Sequence, residues 1–261
     1  MAKYINKAII CEAYIHLEID ESFSPEKINK IKIDLKNFFD ARVKFLLGEN
    51  IQTEIETETG SLKVKLKAFA GIATLLGGAV MSYPSFRDAV KVLHEDSKLL
   101  AEATNLETIF VTKTPSCDRL HSEARTGLIG RISKLITNVE SLRDQVNNLP
   151  APSKKSDLNK ISETTLIVIR LTNESEKLLS KINTDEDRFC IAKGIHSVFN
   201  QLPEIIPAEG DYRSSPLKKS VLKAQNLDIQ AEAEFQKYTA SVRSVKDVLK
   251  KIGIATMPKK A

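Results

Sequence analysis

The sequence predicts an α+β, predominantly helical fold: a small N-terminal sheet (strand, helix, hairpin) with its helices, then an elongated antiparallel α-helical bundle. Three observations carry this. Apolar and polar residues alternate over positions 11–20 and 51–67, an apolar repeat of about 3.5 residues begins at Leu128, and Thr114-Pro115 separates the two patterns.

Taking the elements in order, Cys11, Ala13, Ile15, Leu17 and Ile19 alternate with Glu12, Tyr14, His16, Glu18 and Asp20, the period-2 pattern of a strand with one wet face, expected over 9–20. A helix over 24–47 follows. Ser24 stands at its N-cap, Pro25 at its first position and Gly48 at its end, while Ile28, Ile31, Leu35, Phe38, Phe39 and Leu46 recur at helical spacing. Two strands, near 50–58 and 61–67, then form a hairpin. A two-residue turn at Thr59-Gly60 sets Glu56 opposite Lys63, Glu54 opposite Lys65 and Ile55 opposite Val64, so the lysine stripe reads as cross-strand charge pairing and not as a phosphate site.

The run from Ala68 to Phe86 carries no charge. Ser82-Tyr83-Pro84 breaks it, leaving an apolar helix near 68–82, short for a bilayer of about 30 Å, so a core helix is expected. Its membrane alternative would insert Phe69, Ile72, Leu75, Leu76 and Val80. After Pro84 a helix is expected with Phe86, Val90, Leu93 and Leu100 on its apolar side and Arg87, Asp88, Glu95 and Asp96 opposite.

From residue 116 onward the pattern is heptad-like. Leu128, Ile132, Leu135, Val139, Leu142, Val146 and Leu149 step by four and three, and "PAPSKKS" leads to a second such helix from Leu158 to Ile182, giving an expected antiparallel hairpin. A shorter helix starts at Thr184, and "LPEIIPAEGDYRSSP" reads as a loop. The last helix runs from Ser215-Pro216 to Ile252, with Phe235, Tyr238, Val242, Val245 and Leu249 in its seam and Asp228 the one charge there. Two domains result: an α+β module over 1–112, and a long-helix bundle with a short basic tail over 116–261.

Composition limits the function classes. Hydrophobic residues make up 42% of the 261, enough for a core, and three widely spaced cysteines form neither a disulfide framework nor a metal knuckle. With no apolar signal-peptide core before Glu12, the cytoplasm is the expected location. Net charge is +5, but the basic residues are dispersed without an Arg-rich stripe, so nucleic acid is not an expected partner.

Chemistry-bearing residues are sparse. Cys117 and His121, four apart, read as a helix start whose thiol and imidazole share a face; they form at most half a metal site or a nucleophile-base pair. His94-Glu95-Asp96 begins like HExxH, but Lys98 stands where the second histidine belongs. "TGLIGR" lacks the phosphate-loop frame and reads as helix packing. No cofactor, metal or catalytic residue is therefore assigned. The expectation is a non-catalytic cytoplasmic interaction or scaffold protein, docking a protein partner or a second copy through Leu128, Ile132, Leu135, Val139 and Leu142, and through Phe235, Tyr238, Val242, Val245 and Leu249. The alternative is a membrane-acting effector.

Overall fold

The computed structural model describes residues 9–18, 24–58, 62–76, 82–114, 119–215 and 227–256. The fold is α+β and predominantly helical, with one four-stranded antiparallel sheet. The strands are β1 (Ile9–Leu17), β2 (Gln52–Glu58), β3 (Leu62–Phe69) and β4 (Arg119–Arg125), in the order β2-β3-β1-β4. The helices are α1 (Pro25–Leu47), α2 (Ile72–Leu76), α3 (Tyr83–Thr112), α4 (Gly127–Asn147), α5 (Lys155–Leu179), α6 (Asp185–Phe199), α7 (Pro207–Ser214) and α8 (Asp228–Ala255). They form two compact units: residues 1–79 with 88–133, and 80–87 with 134–261.

In the first unit the alternation of β1 works as the sequence implies. Cys11, Ala13, Ile15 and Leu17 join Leu62, Val64, Leu66 and Ala68 on one face of the sheet. Ile31, Leu35, Phe39 and Val43 of α1 cover that face, with Leu100 and Ala101 of α3. Helix α1 begins as its residues dictate: the Ser24 hydroxyl accepts from the Lys27 N–H at 3.3 Å, Pro25 takes the first turn, and Gly48 closes the helix at φ +103°.

The hairpin differs from expectation in register. Glu58 lies opposite Lys63, Glu56 opposite Lys65 and Ile55 opposite Leu66. The midpoint of the connection falls between positions 60 and 61, one residue later than expected. Moving a turn by one residue moves every pair by two, and a shift of two keeps each side chain on its face. The charges still meet: Lys63 and Lys65 reach Glu58 at 3.0 and 2.8 Å, and Lys67 pairs with Glu56. Hydrogen bonds from Lys65 and then Lys63 hold the Glu58 carboxyl down to about 2. Because this lies below the unfolded value of about 4.3, the stabilisation is complete above that value and is lost as pH falls toward 2. Glu58→Gln should therefore flatten the fall of Tm between about pH 4.5 and 2 at low salt. The difference should shrink in concentrated NaCl, since these charges are exposed. Thermal melts of both proteins across that range, if superimposable, would argue against the pairing.

Two elements were not expected. Strand β4 pairs with β1, setting Arg125 opposite Glu12, Glu123 opposite Tyr14 and His121 opposite His16. Residues 119–121 therefore lie in a strand and not at a helix start, while 116–118 lie outside the described residues; the compact units divide between 133 and 134. Gly127, the first residue of α4, adopts φ +51°, and a Cβ there would lie 2.3 Å from the Ile9 carbonyl oxygen. Only glycine fits that turn. Helix α7 replaces part of the expected loop: Pro207 opens it, and Tyr212, fully buried, packs its ring 5.7 Å from that of Phe235.

The apolar segment is divided rather than continuous. Ala68 and Phe69 belong to β3, paired with Thr53 and Gln52, because the sheet ladder satisfies their backbone groups. Ile72–Leu76 is helical and 77–81 lie outside the described residues, so the expected helix over 68–82 is not formed across its described residues. Ile72 and Leu76 are buried and Leu75 is half-buried, while Val80 lies outside the described residues. Among the described residues no helix is long and apolar enough to cross a membrane.

In the second unit α8 packs against α5 and α6. Thr184 caps α6, its hydroxyl accepting from the Asp187 N–H at 3.2 Å. Within the described residues the final helix begins at Asp228; the expected start at 215–226 lies almost wholly outside them. All ten seam residues named above are buried: Leu128, Ile132, Leu135, Val139 and Leu142 at 0–5% exposure, and Phe235, Tyr238, Val242, Val245 and Leu249 at 0–1%. They pack inside this chain.

Candidate interaction surface

Helix α3 has two apolar faces. The inner one, Phe86, Val90, Leu93, Leu100 and Ala101, is buried as the sequence implies. It continues through Thr104, Thr108 and Thr112, whose hydroxyls donate to the carbonyls of Leu100, Thr104 and Thr108 at 2.7–2.8 Å, so this polar stretch can be buried without unpaired hydroxyls. The outer face carries Val92, Leu99, Leu106 and Phe110, exposed at 57, 53, 68 and 76%. Their separations are close to whole helical turns, so they form one stripe of about 27 Å. Isolated exposed apolar residues are ordinary, but an aligned row of them is not.

At its N-terminal end the stripe runs into a groove of about 440 Å³. Leu46 and Leu47 of α1, Leu75 of α2, and Ala89, Val92 and Leu93 of α3 line it, and its charged lining is Asp88 and Asp96. Asp96, Glu95 and Glu107 follow the stripe on its two sides. Lys98, farther round the helix, pairs with Glu102 at 3.7 Å. The arrangement is an apolar helix face with an acidic border.

The chemical leads are not assembled into a site among the described residues. His121 sits on exposed β4, its Nε2 3.5 Å from Glu123 and its ring 5.7 Å from that of Tyr14. Its suggested partner Cys117 lies outside the described residues. Burial pushes the Cys11 thiol up to about 12 and that of Cys190 up to about 11, the opposite of nucleophile activation. Burial, then Lys246 and Lys250, lowers the His196 imidazole; its Nδ1 lies 3.3 Å from the Asn200 amide. No group of three or more His, Cys, Asp or Glu side chains among the described residues could hold a metal.

The outer stripe escaped the sequence reading, which gave α3 a single apolar face. The signal was present: Val92, Leu99, Leu106 and Phe110 recur by sevens and a four. Comparison with family models, curated proteins and solved structures returns no match, so the surface is interpreted from its own chemistry.

Proposed function

We propose that this chain is a non-catalytic interaction protein that works through helical surfaces, with the outer face of α3 as the docking face for a protein partner. The carrying observation is the row Val92, Leu99, Leu106 and Phe110, exposed on a helix whose opposite face is buried. Burying a side chain of this kind is worth about 1.5–3 kcal/mol. Four together give about 6–12 kcal/mol, the same order as the cost of association, so the groove and its border have to contribute as well. The free thiols Cys11 and Cys190 support a reducing compartment, and the cytoplasm is the proposed location.

The test compares wild type with Leu106→Lys/Phe110→Lys. Both positions are exposed, so stability should change by no more than about 0.5 kcal/mol. Affinity purification from the native cells, read by mass spectrometry, should retain a partner with wild type that the variant loses. Identical retained sets from two folded proteins would overturn the proposal. Flotation of wild type with lipid vesicles would favour the membrane-acting alternative.

A further inference from the structure

Building on the docking proposal, we infer that the occupant of the α3 face is a basic amphipathic helix of a partner protein, and that Asp96 is the position that selects it. Val92, Asp96, Leu99, Ala103, Leu106 and Phe110 step by four and three, so Asp96 occupies a seam position and is not a bystander. It also lines the groove. Any helix that covers the stripe desolvates this carboxylate, which is costly opposite an apolar residue and acceptable opposite Lys or Arg.

The border repeats the requirement. By helical periodicity Asp88, Glu95, Asp96, Glu102 and Glu107 all fall within roughly 80° of the seam's centre, whereas Lys91 and Lys98 fall beyond it. Lys113 lies past the helix, in a left-handed conformation at φ +53°. A second copy of α3 does not satisfy this pattern. Aligned in parallel it sets Asp96 against Asp96. Antiparallel, with Val92 over Phe110, it sets Asp96 against Leu106 and Glu95 against Glu107. An anionic membrane meets the same acidic border. Charge in the seam therefore acts as a selector, rejecting acidic and purely apolar partners as well as attracting basic ones.

The test uses two synthetic three-heptad helical peptides with identical Leu seams. One carries Arg at its central seam position and Lys on its flanks; its twin carries Glu at all of those places. Fluorescence anisotropy should show wild type binding the basic peptide at least about tenfold tighter than its twin. Asp96→Lys, at a half-buried groove position and so checked for folding by circular dichroism, should reverse the order, and Leu106→Lys/Phe110→Lys should abolish both. Equal binding of the twins, or no response to Asp96→Lys, overturns the charge selection and leaves the docking face standing. No binding of either peptide, or binding indifferent to Leu106→Lys/Phe110→Lys, overturns the docking face as well. A dimer in sedimentation velocity that Leu106→Lys/Phe110→Lys dissolves would replace the basic helix with a second copy.

Discussion

Arg125→Met should destabilise the fold by about 3 kcal/mol, the low end of what is lost when one partner of a buried ion pair is removed. Glu12 is 2% exposed in the middle of the sheet, and the Arg125 guanidinium reaches it at 2.5 Å, Glu123 at 2.7 Å, and lies 4.5 Å over the Tyr14 ring. Met fills similar volume but leaves the Glu12 carboxylate without that partner. Lys67 stands opposite Glu12 on β3 and relieves part of the cost, which is why the low end is expected. Glu12→Leu combined with Arg125→Met should recover most of the loss, because a pair replaced on both sides leaves no buried charge. Urea unfolding of the two single variants and the double measures the coupling. A loss below about 1 kcal/mol in Arg125→Met would show that Lys67 alone suffices.

This pair also shows where the sequence is a poor guide. Strand β1 announces itself through Ala13, Ile15 and Leu17, but among the described side chains of β4 only Ala124 packs on the core, while Ser122 is exposed and His121, Glu123 and Arg125 take the other face. Its place is set by pairing with β1 and not by an apolar pattern, so local reading has nothing to detect. The hairpin faces were legible from parity while the register was not, because the turn position enters only once. Helix α7 was hidden in a stretch read wholly as loop, although Pro207 opens it just as Pro25 opens α1. Helices α1 and α6 were legible because caps and spacing agreed, and α4 and α5 through spacing alone. In α3 the inner face already satisfies the helical period, so spacing alone does not demand a second apolar side. A helix that is apolar on two sides needs both accounted for, and only exposure tells which side is covered.

The largest single loss is expected at Phe86→Ala, about 3–5 kcal/mol, as for a large aromatic removed from a closed core. Phe86 is fully buried, and a Cβ built on Gly194 of α6 would lie 2.2–2.4 Å from three carbons of its ring. Gly194 is thus small because the ring needs the space. Two effects oppose each other in Gly194→Ala. Helix propensity favours alanine by about 1 kcal/mol, while overpacking against the ring costs about 1–3 kcal/mol or more. With carbons this close on a fixed ring the clash should win, leaving the variant less stable. The sign should turn in a Phe86→Leu background, where the ring is gone and the added methyl fills part of the vacated volume. Chemical denaturation of Gly194→Ala, Phe86→Leu and their combination closes the cycle, with a favourable coupling of at least about 1 kcal/mol expected. Should Gly194→Ala stabilise the wild-type background, the ring has room to move aside, and the glycine there answers to something other than packing.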